Sequence, residues 1–326
     1  MRSMVSPIYR ANPSKNTSGK LISGCVLAIL RREMTSPAEN PNLLGQFIPL
    51  HYHYQMLLDK ARMQGFKTAI ERVVPAGGTV LELGGGTGVL SFFASSKAAQ
   101  VYCVERNPQM VQAAKSFLAM NSCAEVVEVI EADAMEYVPR EPVDVVICEM
   151  LHSALLREKQ IQVIDAFKRN YRKKFPAPQP LPAFIPEATI LAAQAVCQDF
   201  NFLGYRAPLP MFFEPTKDQP LTQELSNPAV YSTFEYKKEL PFSFSPELVL
   251  EITNAGHLNA VRFVTKNILA MALESGQTID WHNFYLVLPL SEAVQVAPGQ
   301  RFNLTFSYEA GQAIDVLAQS MTLCGE

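Results

Sequence analysis

The stretch "VLELGGGTGVL" (Val80–Leu90) is the strongest indication of the fold in the sequence. Its apolar start belongs to a run, Thr79–Leu83, that predicts a buried β-strand, and a glycine cluster follows this strand directly. Residues from Thr87 to Lys97 then predict a helix. Because glycine lets the backbone turn sharply and approach a ligand closely, this order predicts a ligand site where the strand ends.

The alternation of strand and helix continues downstream of this turn. Asn107 and Pro108 open one of the helices, with asparagine as the cap and proline in the first turn. Apolar strands separated by helices predict an α/β fold with a doubly wound parallel sheet that helices cover on both faces. The further predicted strands are "AQVYCVE" (Ala99–Glu105), "VVEVIEAD" (Val126–Asp133) and "VDVVICE" (Val143–Glu149), and the other predicted helices cover residues 43–72, 107–121 and 155–171.

The pattern changes near Phe175, where "FPAPQPLPAFIP" carries five prolines and indicates a boundary. Short β-type runs dominate beyond it and predict an antiparallel β-barrel or sandwich. We therefore predict a poorly ordered leader over residues 1–41, an α/β domain over 42–180 and a β-barrel domain over 181–326. The seven runs are "ATILAAQAV", "YSTFEYKK", "ELVLEIT", "AVRFVTKNI", "NFYLVLPL", "RFNLTFSY" and "IDVLAQSM".

Composition narrows the classes of partner. The chain has 326 residues, of which 48% are hydrophobic, and a net charge of −3. This balance argues against a nucleic-acid-binding protein, which needs a basic surface, and is compatible with a cationic substrate. None of the six cysteines forms a CxxC pair, so we expect no metal site and reduced thiols in a cytoplasmic protein. The apolar run Leu21–Leu30 is too short to span a bilayer, so we expect no membrane association.

The glycine cluster and its neighbours predict the cofactor. The pattern is E-x-G-x-G-x-G, formed by Glu82, Gly84, Gly86 and Gly88. The dinucleotide fingerprint needs a glycine where this chain has Val89. The observed pattern is the form used for S-adenosylmethionine, which has no phosphate to bind. A turn that only joins strand to helix, and a nicotinamide or flavin enzyme, are the alternatives.

Two acidic residues at strand ends support this cofactor. Glu105 ends the second predicted strand, where a carboxylate can accept both ribose hydroxyls. Asp133 follows the third strand and can accept from the adenine amino group, and Ala134 beside it is assigned to the same site. Ligands of such sheets bind at the carboxyl ends of the strands, where all these groups lie.

The segment "CEMLHSALLREK" (Cys148–Lys159) carries two glutamates, Glu149 and Glu158, around a mostly apolar loop. Both are predicted to lie beside the cofactor crevice, where two carboxylates could hold a guanidinium from two sides. A carboxylate could then accept a proton during or after methyl transfer. The alternative for Glu158 is a solvated residue in the first turn of a helix.

From these motifs, residues 43–326 resemble the protein arginine methyltransferases, which join a Rossmann-like S-adenosylmethionine domain to a β-barrel. The glycine motif and the spacing of Glu149 and Glu158 carry the likeness, together with "HYQMLLDKAR" (His53–Arg62). The resemblance implies that Arg62 holds the cofactor's carboxylate, with His53 and Met56 lining its site. It also implies a homodimer formed through the proline-rich region Asn201–Asn227.

The departures from the family concern the substrate side. Leu43 and Phe47 stand where the family has two tyrosines, Leu151 and His152 replace its Met-Gly, and Asp280 replaces the histidine before Trp281. His152 is either a proton acceptor or a space-filling loop residue, and Asp280 either a third carboxylate of the pocket or a turn residue. Trp281 is expected to pack between the domains, and a cation–π contact is a second option.

The resulting functional prediction is an active N-methyltransferase that uses S-adenosylmethionine and acts on a guanidino nitrogen. The acceptor is either a protein arginine or a small guanidine or amine, such as arginine, agmatine or a specialised metabolite. A catalytically silent scaffold is the remaining alternative.

Overall fold

The computed structural model describes residues 48–216, 218–272 and 276–326, which belong to one compact unit. The predicted leader over residues 1–41 and the predicted pocket residues Leu43 and Phe47 lie outside the described residues. None of the described helices has the length and apolar character needed to cross a bilayer.

Five parallel strands form the first sheet within the described ranges, in the order β3-β2-β1-β4-β5. Strands β2 and β3 lie on one side of β1, and the chain then crosses over so that β4 and β5 lie on the other side. The carboxyl ends of β1 and β4 therefore lie side by side at the reversal point, where such sheets bind ligands. The strands are β1 (Thr79–Leu83), β2 (Gln100–Glu105), β3 (Val127–Glu131), β4 (Val145–Cys148) and β5 (Ala183–Ile185).

The fifth strand, β5, is not among the predicted strands. It runs parallel to β4, with Ala183 opposite Val145. The parallel sheet therefore includes residues 183–185, which lie beyond the predicted domain boundary at position 180. Its short apolar sequence lies inside the proline-rich segment, which hides the strand signal.

The predicted helix over residues 43–72 is interrupted in its described part. Asp59 has an extended backbone, and its Oδ1 accepts from the backbone N–H of Arg62 at 2.9 Å, so a new helix begins after it. Aspartate is a favoured N-cap, which explains the break. The described helices are α1 (Leu50–Leu58), α2 (Lys60–Val73), α3 (Val89–Ser95), α4 (Pro108–Met120), α5 (Gln160–Lys174) and α6 (Ile314–Ser320).

The second half of the chain is antiparallel, as predicted. Its longest strand, β14, pairs with β6 along one edge and with β16 and β15 along the other. The strands are β6 (Ala188–Gln198), β7 (Asn201–Phe202), β8 (Tyr205–Arg206), β9 (Met211–Phe213), β10 (Thr222–Glu224), β11 (Ala229–Glu235), β12 (Ser243–Phe244), β13 (Glu247–Glu251), β14 (Gly256–Ala272), β15 (Gln277–His282), β16 (Tyr285–Val296), β17 (Arg301–Thr305), β18 (Tyr308–Glu309) and β19 (Thr322–Gly325).

One predicted strand in this half is wrong. The run "IDVLAQSM" forms α6, not a strand. Its apolar residues Ile314, Leu317, Ala318 and Met321 recur at helical spacing, and all four pack on the main core.

A single apolar core joins the two sheet systems. Phe66 and Ile70 of α2 are fully buried, and the Phe66 ring lies 6.2 Å from that of Trp281 on β15. The helix that precedes the parallel sheet is therefore packed directly on the antiparallel region.

Candidate active site

A cavity opens at the carboxyl ends of β1, β2 and β4, and its volume is about 1220 Å³ with its open mouth included. The predicted site residues that line it are His53, Met56, Arg62, Glu82, Gly84, Gly86, Glu105, Asp133, Ala134, Glu149 and Glu158.

The glycine turn after β1 needs residues without a side chain. Gly84 and Gly86 both have positive φ angles, 77° and 53°. A Cβ on Gly84 would lie 2.4 Å from Cε of Met150, and one on Gly86 would lie 2.9 Å from Cε1 of His53. A side chain at either position would be strained and would press on Met150 or His53, so we call this glycine turn, which keeps the backbone at the cavity wall, the cradle. Gly88 lies outside the cavity lining and begins α3 in the left-handed conformation.

Glu82 is buried beneath this turn and secures the start of α3. Its Oε2 accepts from the backbone N–H of Ser91 at 2.9 Å and from the Ser91 hydroxyl. Gly88, at the N-cap, has no side chain to supply this acceptor. Burial raises the pKa of Glu82 to about 8.

Glu105 and Asp133 are held by backbone amides at the cavity edge. Glu105 accepts from the N–H groups of Gly86 at 2.9 Å and Asn107 at 2.7 Å, one on each carboxylate oxygen. Asp133 accepts from the Met135 N–H at 2.9 Å and pairs with Arg106 at 3.1 Å. Carboxylate oxygens can each accept a further hydrogen bond, so both acids can receive hydroxyl or amino donors from a ligand.

The acidic loop, residues Glu149–Glu158, places both of its glutamates in the cavity wall. Glu149 directly follows β4, and Glu158 lies two residues ahead of α5, not in the first turn of that helix. Burial raises the pKa of Glu149, whereas the Arg62 guanidinium opposes that rise. Burial and then the charge of Glu149 raise the pKa of Glu158 to about 8. We call this pair of carboxyl groups the clamp.

The backbone of the acidic loop is held in an unfavourable conformation. Ala154, Leu155 and Arg157 have φ angles of 55°, 57° and 63°, values that residues with a Cβ rarely adopt. These angles prevent the predicted helical start at Leu155, so α5 begins at Gln160. Strain of this kind persists only where the surroundings fix the backbone, and it is common at functional sites.

The antiparallel region supplies the contacts that fix the acidic loop. Thr265 Oγ1 on β14 accepts from the Ala154 N–H at 2.7 Å, and the Ser153 hydroxyl donates to the Phe284 carbonyl at 2.6 Å. The turn before α6 also contributes, because the Gln312 carbonyl accepts from the Arg157 N–H at 2.8 Å. Side chains of the parallel sheet alone therefore do not determine where the clamp lies.

A buried chain of hydrogen bonds reaches the first part of the loop. Asn283 donates to the Leu151 carbonyl at 2.9 Å and accepts from Asn267 at 2.8 Å, which in turn accepts from Thr189 at 3.0 Å. Thr189 lies 2.8 Å from the Tyr236 hydroxyl. Every hydrogen bond of this chain lies in the buried interior, where an unpaired polar group would be costly. These residues therefore hold the first part of the acidic loop in one arrangement.

Arg62 lines the same cavity as the cradle, Glu105 and Asp133, which we call the cofactor wall, and it contacts the clamp. Its Nη2 donates to Glu149 Oε2 in a buried ion pair. Its guanidinium carbon lies 5.6 Å from the Trp281 ring centroid, and the Trp281 indole N–H donates to Asp59 at 3.2 Å. Trp281 thus makes both the packing and the cation–π contact that the sequence suggested, although the cation is Arg62.

Comparison with known proteins identifies the chemistry of this cavity. Residues 80–174 match the family described as Methyltransferase domain. The chain is 29% identical over 153 residues to the arginine N(omega)-methyltransferase of Streptomyces achromogenes, which is 45% of this chain and 41% of that protein. It is 34% identical over 127 residues to the protein arginine N-methyltransferase PRMT10 of Oryza sativa, 38% and 33% of the two chains.

The chain is an S-adenosylmethionine-dependent methyltransferase similar to the arginine methyltransferases. It belongs to one family with an uncharacterized protein of Methanocaldococcus jannaschii, to which it is 30% identical over 262 residues, 80% of this chain and 92% of that protein. Its fold matches the Trypanosoma brucei PRMT1 enzyme–prozyme heterotetrameric complex with AdoHcy, with a TM-score of 0.65, 16% identity, and coverage of 85% and 98% of the two chains.

The cavity of the methyltransferase fits its cofactor. The glycine cradle brings the backbone to the cavity wall, and Glu105 and Asp133 present acceptors at the cavity edge. In the described part of the chain, Arg62 Nε is buried without a hydrogen-bond partner, so the wall holds a donor that a ligand carboxylate can satisfy. Burial lowers the pKa of His53 next to the cradle, which favours its neutral form.

Four of the residues predicted for the substrate side lie outside the lining of this cavity: Trp281, described above, and Leu151, His152 and Asp280. Leu151 is buried in the core. His152 packs edge-on against Phe212 at 5.5 Å, and burial lowers its pKa to about 4. Asp280 pairs with Lys266 at 3.2 Å, because strand alternation turns it to the face of β15 opposite Trp281.

Several residues of the methyltransferase site were not predicted from the sequence. Gln160 is buried beside the clamp, donating to the Cys148 carbonyl at 2.7 Å and accepting from the Met150 N–H at 2.8 Å, so it fixes the backbone on both sides of Glu149. Thr265 and Asn283 were also missed. Polar residues inside apolar strand runs are the signal that could have indicated them, since buried polar groups need partners.

Proposed function

We propose that this methyltransferase transfers a methyl group to a guanidino nitrogen held by Glu149 and Glu158. The observation that carries the proposal is the buried ion pair of Glu149 with the guanidinium of Arg62. The clamp is thus compatible, in shape and charge, with the functional group that we assign to the acceptor. Bidentate and charge-assisted pairs between guanidinium and carboxylate are strong and directional.

The two carboxyl groups have different tasks in this proposal. The cofactor supplies an electrophilic methyl group on its sulfonium. Glu149, at the end of β4, orients the guanidinium against the cofactor wall. Glu158, whose pKa is raised to about 8 without an acceptor, loses its proton more easily beside a bound cation. It can then accept the proton that the guanidino nitrogen releases on methylation.

Full deprotonation of the acceptor before transfer is not required. The guanidinium pKa exceeds about 12, so a free neutral guanidine would be scarce at neutral pH. Proton loss during or after methyl transfer, with a carboxylate within hydrogen-bond reach, avoids that step. Positioning of the nitrogen therefore supplies much of the rate enhancement.

Two sources of the guanidino group fit the same chemistry. One relative is named an arginine N(omega)-methyltransferase and another is named a protein arginine N-methyltransferase. The acceptor of this chain is accordingly either a small guanidine or an arginine side chain of a protein.

The test is transfer of an isotope-labelled methyl group from S-adenosylmethionine by the full chain. One arm contains arginine and agmatine, a second contains arginine-rich peptides, and a third contains primary amines without a guanidine. Mass spectrometry of the products should find the label on a guanidino nitrogen in the first or second arm. Labelled amines alone would overturn the guanidine assignment, and no labelled product with retained cofactor binding would support the scaffold alternative.

We further propose that the methyltransferase forms a homodimer through the region Asn201–Asn227. The hairpin of β7 and β8 carries apolar side chains in solvent, including Leu203, which is fully exposed, and Tyr205. Exposed apolar surface of this kind is typical of protein–protein contacts.

A further inference from the structure

Arg62 makes a contact that its expected role on the cofactor side does not explain. A residue expected to hold the cofactor's carboxylate is instead paired with a residue expected to hold the acceptor, Glu149. The side chains of the pair are only 11% and 9% exposed. Water therefore weakens their attraction little, and the pair is a well-defined feature of the cavity wall.

The geometry of the pair leaves part of the Arg62 guanidinium unused. Nε and Nη2 form one edge of a guanidinium, and a carboxylate that takes both donors makes a bidentate pair. Glu149 takes Nη2, whereas Nε has no hydrogen-bond partner in the described ranges and is buried. A free carboxylate in the cavity could satisfy both donors at once, and its negative charge would then repel that of Glu149 beside Nη2.

The surroundings of Arg62 allow such a change of partner. Its backbone is fixed, because Asp59 accepts from the Arg62 N–H at 2.9 Å at the start of α2. The Trp281 ring lies along the guanidinium at 5.6 Å and makes no directional hydrogen bond with it. The charged end can therefore move between Glu149 and the cofactor wall while the rest of the residue stays in place.

We propose that Arg62 occupies the clamp as a resident guanidinium until the amino-acid carboxylate of S-adenosylmethionine takes its Nε–Nη2 edge, which frees Glu149 for the acceptor. The inference deepens the proposed function and rests on it. An acceptor guanidinium that arrived first would meet the like charge of Arg62 in a buried site. Cofactor and acceptor are thereby coupled, and the coupling is reciprocal.

The test measures ligand binding to the full chain by calorimetry. S-adenosylhomocysteine carries the amino-acid carboxylate, whereas 5′-methylthioadenosine lacks it and serves as the matched control ligand. In the Glu149→Gln variant Arg62 is already free, so S-adenosylhomocysteine should bind roughly tenfold more tightly, within the ~5–150-fold range of typical site coupling. Binding of 5′-methylthioadenosine should stay within about twofold of the wild type on the same grounds, and that result also shows that the variant is folded.

Two further variants separate partner exchange from a general effect of charge. Above pH 8, where Glu158 carries its charge, Glu158→Gln removes that charge from the same cavity without removing an Arg62 ion pair, and its gain should be much smaller. In an Arg62→Gln background, Glu149→Gln should give no gain at all, because no guanidinium remains to be released.

Three results would overturn the exchange. They are unchanged S-adenosylhomocysteine affinity in Glu149→Gln, an equal gain for 5′-methylthioadenosine, and a gain that persists in the Arg62→Gln background. These measurements use no acceptor, so failure of the guanidine assignment is detected separately by the labelled-methyl assay.

Discussion

Replacement of Thr265 by valine tests how the antiparallel region holds the acidic loop. Valine keeps the shape of threonine and removes the oxygen that accepts from the Ala154 N–H at 2.7 Å. Both residues are fully buried, so water cannot replace the lost acceptor. A buried donor without a partner costs about 1–3 kcal/mol, and we expect the free energy of unfolding to fall by that amount.

The effect on the loop should exceed the effect on overall stability. The left-handed residues Ala154, Leu155 and Arg157 each carry strain of about 1–2 kcal/mol. Each hydrogen bond that fixes them contributes about 0.5–1.5 kcal/mol, so strain and anchoring are of similar size. Loss of one anchor should let the loop relax, and a shift of about 1 Å in a reacting group can slow a reaction by about 100-fold.

The assay compares Thr265→Val with Thr222→Val in labelled-methyl transfer, cofactor binding and thermal unfolding. Thr222 is also buried, and its hydroxyl donates to Gln198 at 2.7 Å, away from the loop. We expect turnover to fall at least tenfold in Thr265→Val alone, with S-adenosylhomocysteine affinity close to that of the wild type. Equal turnover in the two variants would refute the argument that the loop depends on this anchor.

Three other predictions follow from the site and the exposed hairpin. Burial raises the pKa of Glu158 from 4.5 to about 8, so its stabilising proton is fully held below pH 4.5 and lost as the pH rises through 8. Glu158→Gln should therefore have nearly the wild-type free energy of unfolding at pH 4.5. At pH 8.5 it should be more stable than the wild type by at most about 5 kcal/mol, at 1.36 kcal/mol per pKa unit. A difference that is the same at both pH values would contradict this. Glu105→Gln should weaken S-adenosylhomocysteine binding by about 10–100-fold through loss of charge-assisted hydrogen bonds, and an unchanged affinity in calorimetry would remove Glu105 from the cofactor site. Leu203→Asp should shift the protein from dimer to monomer in sedimentation velocity, and a monomeric wild type would contradict the dimer.

Local sequence patterns were enough to predict the parallel sheet around the cavity. Strand β1 is an apolar run, and the glycines of the turn, Gly84 and Gly86, have positive φ angles. In both places the residue type alone indicates the local backbone conformation. The first four strands and the helix that Asn107 caps were predicted for the same reason. The strand β5 was not, because prolines surround it.

The shape of the acidic loop could not be predicted, because distant residues determine it. Nothing in the segment Ser153–Glu158 indicates left-handed backbone, which is imposed by Thr265 and by the turn at Gln312. The Arg62–Glu149 pair joins positions 87 residues apart in the sequence. The spacing of the two glutamates therefore predicted that they lie at the cavity. Only the structure shows that the guanidinium of Arg62 is paired with one of them.

A crystal structure of the complex with S-adenosylhomocysteine and an acceptor from the labelled-methyl assay shows whether the acceptor binds between Glu149 and Glu158. The quantity to measure is the distance from the acceptor's guanidinium nitrogens to the carboxylate oxygens of Glu149 and Glu158. We predict hydrogen-bond distances to both residues, with Arg62 on the cofactor's carboxylate. A guanidinium bound elsewhere, with the two glutamates facing solvent or paired only within the protein, would contradict the account.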